Sequence, residues 1–570
     1  MLMLIIVGAL LILLQLFRIQ YIDGTYYRSL AEKYSIKEFK VPANRGNIYS
    51  ADDKLLAVTV PLYKVAFDPQ VAKEYVFNQN LPALAKGLSS ILGESENYWR
   101  TRLKKARKKG SRYVLIAKNI DFSQFEKLKK LPLFNLGRYK GGFIFESQPA
   151  RIYPFGNMLR RTIGVARSDI KFGLEGAYHK ILEGKDGKRL KQKINSRTWK
   201  PINNFNETEP VEGKDLETTI RMDFQDIAHQ ALSEQLTKFN ADHGTVIIME
   251  VKTGAIKAMV NLGRNENGNY VEKYNYAVGE KYEPGSLMKT FTYLTFFEDE
   301  KIDTSDIVHF QPAGFQYYDR IIKDSHEHEK PGMRVSEALA LSSNIVTVKL
   351  TDSFYRSHPK RFIDKWIDMG INKKTGFEIK GEPEPLLPYP SKDIKKWKPI
   401  QLGMISFGYE VMLTPLQILT LYNAIANNGT KMKPYLVQKI KHNNKTIKKI
   451  PPEVLEKHMA SKENIKKIQK LLRKVVKEGT ARNINSPYVK IAGKTGTSQT
   501  EYWTSNKQYI ASFAGYFPAD KPEYSMIVVI HKPDKSMGYY GNVVAGKVFQ
   551  KIAEEINGIV PREFIVKNEK

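Results

Sequence analysis

The apolar positions of this chain fall into three regimes. From Met1 to Phe17 every residue is apolar except Gly8 and Gln15, and Ile19 and Tyr21 carry the pattern past Arg18. A helix of roughly 17–25 apolar residues matches the hydrocarbon thickness of a bilayer. No small-residue Ala-x-Ala cleavage site follows before Gln20-Tyr21-Ile22-Asp23, so the pattern predicts an uncleaved transmembrane anchor over 1–22. No Lys or Arg precedes it, whereas Arg18, Arg28 and Lys33 follow. That opposes the positive-inside tendency for an exported bulk, and a short basic cytoplasmic tail ahead of the encoded start is expected.

From Tyr34 to about Asp215 short alternating runs, such as Lys64 to Phe67 and Arg112 to Ile116, predict strands among polar helices and basic runs like Lys104 to Lys109. This reads as a mixed α/β domain over 23–214 with no catalytic constellation. The polar stretch Asn203 to Gly213 reads as the linker that closes it.

The second half is more regular. A helical period over Phe224 to Phe239 precedes two strand-like runs, Gly244 to Val251 and Ala255 to Val260, which Lys252-Thr253-Gly254 joins as a hairpin. Helical patterns dominate next, at Phe291 to Phe297, Val335 to Leu341, Pro415 to Ala426 and Glu463 to Lys477. Strand patterns return at Tyr488 to Ile491, Tyr509 to Tyr516 and Tyr524 to Ile530, and a helix over Val544 to Ile556 closes the domain. Terminal strands and helices bracketing an all-helical middle predict an α+β domain over 215–560, an antiparallel sheet with a helical subdomain, followed by a tail, 561–570.

Composition changes this picture little. The chain has 570 residues, enough for more than one core. Its 90 Lys and Arg against 60 Asp and Glu leave a net charge of +30, but the lysines are spread along nearly the whole chain, as on a solvated surface rather than a nucleic-acid footprint. Cysteine is absent, which excludes a disulfide framework and thiolate metal sites.

Three Ser-x-x-Lys matches occur, at Ser168, Ser286 and Ser357, as expected by chance in so Lys-rich a chain. Only Ser286-Leu287-Met288-Lys289 has the right surroundings: Glu283-Pro284-Gly285 supplies a turn and a helix start, and Leu287, Met288, Phe291 and Leu294 make the helix apolar. Ser286 is expected in the first turn, near the positive end of the helix dipole, with Lys289 one turn on and on the same face. A Lys base must be partly neutral, a state favoured by burial and by a second cation, for which Lys494 is the candidate. Ser-x-Asn occurs at Ser95 and at Ser342-Ser343-Asn344, where helix capping is the structural alternative. Lys-Thr-Gly occurs at Lys252, Lys374 and Lys494. Only Gly493-Lys494-Thr495-Gly496-Thr497-Ser498 continues an apolar strand and precedes two more, as an edge facing a cleft would; Gly496 there would permit close approach of a substrate.

In their order and spacing Ser286, Ser342 and Lys494 resemble the motif set of the penicillin-binding-protein superfamily. That resemblance implies that Ser286 attacks the carbonyl of a D-alanyl-D-alanine stem peptide and Lys289 takes its proton. Ser342 and Lys494 would relay a proton to the leaving D-alanine, and Asn344 would hold the peptide. Thr495 and Thr497 would bind the terminal carboxylate, beside Gly496, and the N–H groups of Ser286 and Thr497 would form the oxyanion hole. The likeness extends to class B, the monofunctional transpeptidases, through Arg45-Gly46-Asn47-Ile48-Tyr49 with Leu56-Ala57, although Ser50 to Asp53 depart from the usual Asp-Arg-Asn-Gly. Arg151, Tyr153-Pro154, Gly164, Gly173-Leu174-Glu175-Gly176 and Tyr178 are further signatures, which imply a non-catalytic pedestal, or dimerisation-type, domain.

Thr414-Pro415-Leu416-Gln417, Ala426-Asn427-Asn428-Gly429, Gly479-Thr480-Ala481 and Ser512-Phe513-Ala514-Gly515 are similarly placed, while Lys547 stands where Pro is usual. Ala241-Asp242-His243-Gly244, Asn275 to Glu280 and Ser406 to Val411 look most like septal, cell-division transpeptidases. The resemblance implies β-lactams as inhibitors and a membrane glycosyltransferase and other division proteins as partners, because no Glu-Asp-x-x-Phe-x-x-His polymerase signature occurs. It implies no cofactor and a single-pass protein of the cytoplasmic membrane with its catalytic domain outside. An elongation-type enzyme, a D,D-carboxypeptidase, a β-lactamase and a non-catalytic β-lactam sensor or division scaffold are the rival readings. No metal site is expected: His-Glu-x-x-His is missing, and the dense pair His326 and His328 reads as part of a polar active-site loop.

Overall fold

The structure is a computed structural model that describes residues 2–559 apart from 168, 196–197, 202–207, 327, 394–396 and 501–506. Ser168, much of the polar stretch Asn203–Gly213 and the tail 561–570 lie outside the described residues. Helix α1, Leu2–Phe17, runs into a π-helical turn, Arg18–Ile22. The window Ile5–Ile22 has a mean hydropathy of 2.1 and buries nothing, so this helix is long and apolar enough to cross a membrane.

The chain divides into two compact units. The first comprises Met1–Asn47, Ala57–Tyr153 and Lys180–Lys214; the second, Ile48–Leu56, Pro154–His179 and Asp215–Lys570. Early segments enter the second unit through strand pairing, which ignores sequence order: Ile48 and Tyr49 pair in parallel with Leu216 and Glu217.

In the first unit, strand β1, Leu55–Phe67, pairs antiparallel with β2, Val114–Ile120, and β3, Phe143–Ile152. Helix Glu74–Leu92 buries Phe77, Leu81, Leu84, Ala85 and Leu88, the apolar stripe of a 3.6-residue period, and ends at Gly93, whose φ of 89° closes it in the left-handed region. These side chains join Trp99, Leu103, Phe125, Phe134 and Phe143 in one core.

The second unit is built on a six-stranded antiparallel sheet. Its strands are β4, His243–Glu250; β5, Ile256–Arg264; β6, Tyr270–Val271; β7, Ala492–Thr500; β8, Gln508–Phe517; and β9, Tyr524–His531. Their order across the sheet is β6-β5-β4-β9-β8-β7, so the hairpin expected around Lys252 is present and the Lys494 strand is an edge. Helices Met222–Lys238 and Gly541–Ile559 pack Phe224, Leu232, Val544, Val548, Phe549 and Ile552 against Val246, Ile248, Phe513 and Val528 on one face. Among contacts on the opposite side is helix Pro415–Ala426, with every residue buried, including the polar Gln417, Thr420 and Asn423.

The sequence places one strand too early. Tyr488 to Ile491 is not a strand: the Ser486 hydroxyl accepts from the N–H groups of Tyr488 and Val489 and holds a turn there, and pairing starts at Ala492. Val489 and Ile491 are buried alternately all the same, and that alternation imitates a strand. Lys494 lies inside β7, as expected of a segment that continues a strand.

Candidate active site

Ser286 sits in a single 3-10 turn, Gly285–Leu287, immediately ahead of the buried helix Lys289–Glu298. The turn is pinned on several sides. Gly285 N–H donates to the Gly408 carbonyl at 3.1 Å, the Glu283 carboxylate accepts from Glu410 N–H at 2.8 Å, and Tyr422 Oη donates to the Leu287 carbonyl at 2.8 Å. Gly285 has a φ of 56°, and a β-carbon on Gly408 would stand 2.0 Å from the Gly285 carbonyl oxygen, so two glycines are required where these segments touch.

Gly496 has a similar cause. A β-carbon there would meet Ser512 Oγ at 2.2 Å, Leu287 Cγ at 2.9 Å and the Pro284 carbonyl at 3.0 Å. Close packing of the Ser286 turn on β7 demands this glycine.

The fold brings the three motifs together. Lys289 Nζ donates to the Ser342 carbonyl at 2.5 Å, to Asn344 Oδ1 at 2.7 Å and to Ser342 Oγ at 3.3 Å. Lys494 Nζ donates to the same Ser342 Oγ at 2.8 Å. Thus both lysines converge on one hydroxyl, and Lys289 is engaged by the Ser-x-Asn motif rather than by Ser286. Ser342 adopts a φ of 60°, unusual for a residue with a side chain and costing about 1–3 kcal/mol. The following residues start helix Asn344–Tyr355, with Ser343 as its N-cap.

Both lysines are fully buried. Burial pushes the Lys289 ammonium down to about 7, with Asp324 opposing the shift. Burial also holds Lys494 well below the ordinary lysine range, and repulsion from Lys289 adds to it. The second-cation effect expected for Lys289 therefore falls chiefly on Lys494, and desolvation is what depresses Lys289.

Asp324 is a residue that sequence reasoning passed over. Its carboxylate accepts from Ser343 Oγ at 2.6 Å, from Ile345 N–H at 3.0 Å and from Asn344 N–H, and pairs with His328 Nε2 at 2.7 Å. It thereby fixes the turn that presents Ser342 and Asn344. The only signal was its place in the polar run Asp324 to His328.

These groups open onto a cleft of about 400 Å³ lined by Ser286, Ser342, Asn344, Thr495 and Thr497, with Ser325, His326 and Tyr409 among its other walls. Thr497 Oγ1 accepts from Gly541 N–H at 2.9 Å, which leaves its own proton to donate into the cleft, and Thr495 Oγ1 pairs with Thr480 Oγ1 at 2.9 Å. The remaining motif matches fall elsewhere: Lys252 in the β4–β5 turn, Lys374 in an exposed pair with Glu384, Ser357 beside His358 and Ser95 as the cap of a helix in the first unit.

Residues 244–554 match the family model of the penicillin-binding-protein transpeptidase domain, and residues 40–218 match that of the penicillin-binding-protein dimerisation domain. The chain belongs to the class B penicillin-binding proteins. It is 26% identical over 552 residues to the probable peptidoglycan D,D-transpeptidase PenA of Neisseria meningitidis, covering 94% of this chain and 87% of that one. It is 27% identical to the peptidoglycan D,D-transpeptidase FtsI of Buchnera aphidicola, covering 96% and 92%. Stage V sporulation protein D of Bacillus subtilis is also 27% identical, covering 96% and 83%. Among solved structures, penicillin-binding protein 2X of Streptococcus thermophilus superposes with a TM-score of 0.73 at 21% identity, covering 92% of this chain and 80% of that one. The expected class, and the α+β catalytic domain preceded by a pedestal, are both borne out, and the second unit carries a serine-type transpeptidase domain of this penicillin-binding family.

Proposed function

We propose that this class B penicillin-binding protein is a peptidoglycan D,D-transpeptidase that crosslinks stem peptides through an acyl-enzyme on Ser286 during septal wall synthesis. The observation that carries the chemistry is the convergence of Lys289 and Lys494 on Ser342 Oγ beside the Ser286 turn. A Lys289 amine neutral near pH 7 takes the Ser286 proton as the hydroxyl attacks the penultimate D-alanyl carbonyl. The N–H groups of Ser286 and Thr497 hold the oxyanion. Ser342 passes a proton, supplied from the lysine pair, to the departing D-alanine amine. Asn344 orients the peptide, while Thr495 and Thr497, flanking Gly496, take its carboxylate. An amine of a neighbouring stem then attacks the ester and regenerates Ser286.

The relative FtsI and the septal-type segments around His243, Asn275 and Ser406 support the division role. The apolar N-terminal helix supports a single-pass anchor in the cytoplasmic membrane with the catalytic unit outside. Glycan strands come from a membrane glycosyltransferase partner within the division machinery. Depletion in the native cell tests the role: filaments with arrested septa are expected, and rounded cells that still divide would assign the protein to elongation.

A further inference from the structure

Away from the cleft, three side chains distant in sequence converge. His243 opens β4 and His531 closes β9, and the two are directly paired across the sheet. Their rings stack with centroids 4.1 Å apart. Glu280, in the segment that leads to Ser286, lies over both: its Oε2 is 2.8 Å from His243 Nε2 and 3.8 Å from His531 Nε2. The donor atoms of the three residues all lie within 4.8 Å of one another. On the far side of its ring, His243 Nδ1 is 2.8 Å from Asp242 Oδ2. The rings of Tyr276, stacked on His243, and Tyr282, edge-on to His531, complete the walls.

We propose that His243, His531 and Glu280 form a binding site for a divalent cation of the zinc class. Ligand atoms about 2.0–2.2 Å from a tetrahedral zinc lie about 3.3 Å from one another, and the observed 2.8 and 3.8 Å straddle that spacing. Two imidazoles and a carboxylate are a donor set that zinc accepts with one position open. Asp242 holds the outer nitrogen of His243, the carboxylate–histidine arrangement that fixes the tautomer of a metal-bound ring.

His531 is 8% exposed, and its Nε2 faces Glu280 Oε2 across 3.8 Å. Glu280, with about a third of its side chain exposed, provides the way in. The cation displaces the proton on His243 Nε2 to solvent and draws His531 Nε2 toward Glu280. Once bound, it ties two neighbouring strands to the segment that carries the nucleophile.

The test uses the full chain in detergent, without a histidine tag, stripped by a chelator and titrated with zinc chloride alone. Zinc is measured by mass spectrometry after gel filtration and Tm is followed in parallel. About one zinc per chain and a zinc-dependent rise in Tm are expected. His531→Gln and Glu280→Gln should each weaken zinc affinity at least about tenfold and abolish the rise in Tm. Glu280→Gln alters a partly exposed side chain and decides the matter if His531→Gln fails to fold. Absence of stoichiometric zinc binding by the native chain, or native affinity in a folded variant, overturns the proposal. None of these readouts depends on acyl transfer.

Discussion

The two faces of the catalytic sheet are built from the same strands and differ in kind. One face, toward helices Met222–Lys238 and Gly541–Ile559, is hydrocarbon: Val246, Ile248, Val260, Phe513, Val528 and Ile530 are all buried there. By the register of the strands, the other face interleaves apolar side chains, Ile247, Met259, Ile527 and Val529 among them, with Lys494, Thr245, Asn261, Ser512, Ser498, His243 and His531, each no more than 8% exposed. Burying a large apolar side chain stabilises the fold by about 1.5–3 kcal/mol, whereas burying a lysine costs free energy and lowers its pKa. The first face therefore contributes packing almost alone, whereas the second combines packing with buried polar groups and uses part of that stability in holding amines out of water.

If that division is right, substitutions on the two faces separate rate from stability. Ser286→Ala, in the turn packed on the polar face, should abolish covalent labelling by benzylpenicillin, read by intact mass, with circular dichroism and Tm unchanged; labelling at the native level would remove Ser286 as the nucleophile. Lys289→Arg keeps the charge but stays protonated, and should lower the acylation rate by about 10³-fold or more, into the range of a lost general base. Near-native acylation by this variant would mean that another group activates Ser286. Lys494→Arg should be milder, about 10–100-fold, because a donor to the substrate carboxylate remains while the contact with Ser342 Oγ is misplaced.

A pH profile of the native protein sharpens the same point. With Lys289 held at about 7 and needed neutral, the acylation rate should fall about tenfold per pH unit below 7 and level off above it. A rate that stays flat between pH 5 and pH 7 would contradict a lysine base. The smallest effect on rate belongs to the apolar face: Phe549→Ala, which removes a ring packed on Phe513 and Phe517, should cost about 3–5 kcal/mol of stability and leave acylation per folded molecule unchanged. A large loss of rate there would show that the two faces are not separable.

The apolar face was easy to read in the sequence because hydrophobic alternation and the 3.6-residue period report burial directly. The helices at Phe224 and Val544 and the strands at Gly244, Tyr509 and Tyr524 stand within a few residues of where those patterns put them. The same logic misplaced the strand near Tyr488, since Val489 and Ile491 are buried from a turn held by Ser486. On the polar face, motif order singled out Ser286, Ser342 and Lys494, but it could not say that Lys289 rests against Ser342 and Asn344 instead of Ser286. Asp324 was invisible as a positioning group, because a lone Asp in a polar run carries no periodicity and no motif.

Local chemistry along the chain determined the apolar N-terminal helix, the succession of helices and strands, and which serine and lysines to single out, because periodicity and short motifs depend only on neighbours within a few residues. Tertiary structure alone decided that Lys289 is depressed by burial, that Gly496 is set by the packing of the Ser286 turn, and that His243, Glu280 and His531 meet. Each of these depends on desolvation or on contacts between strands and segments far apart in sequence, quantities that exist only once the sheet has closed and excluded water.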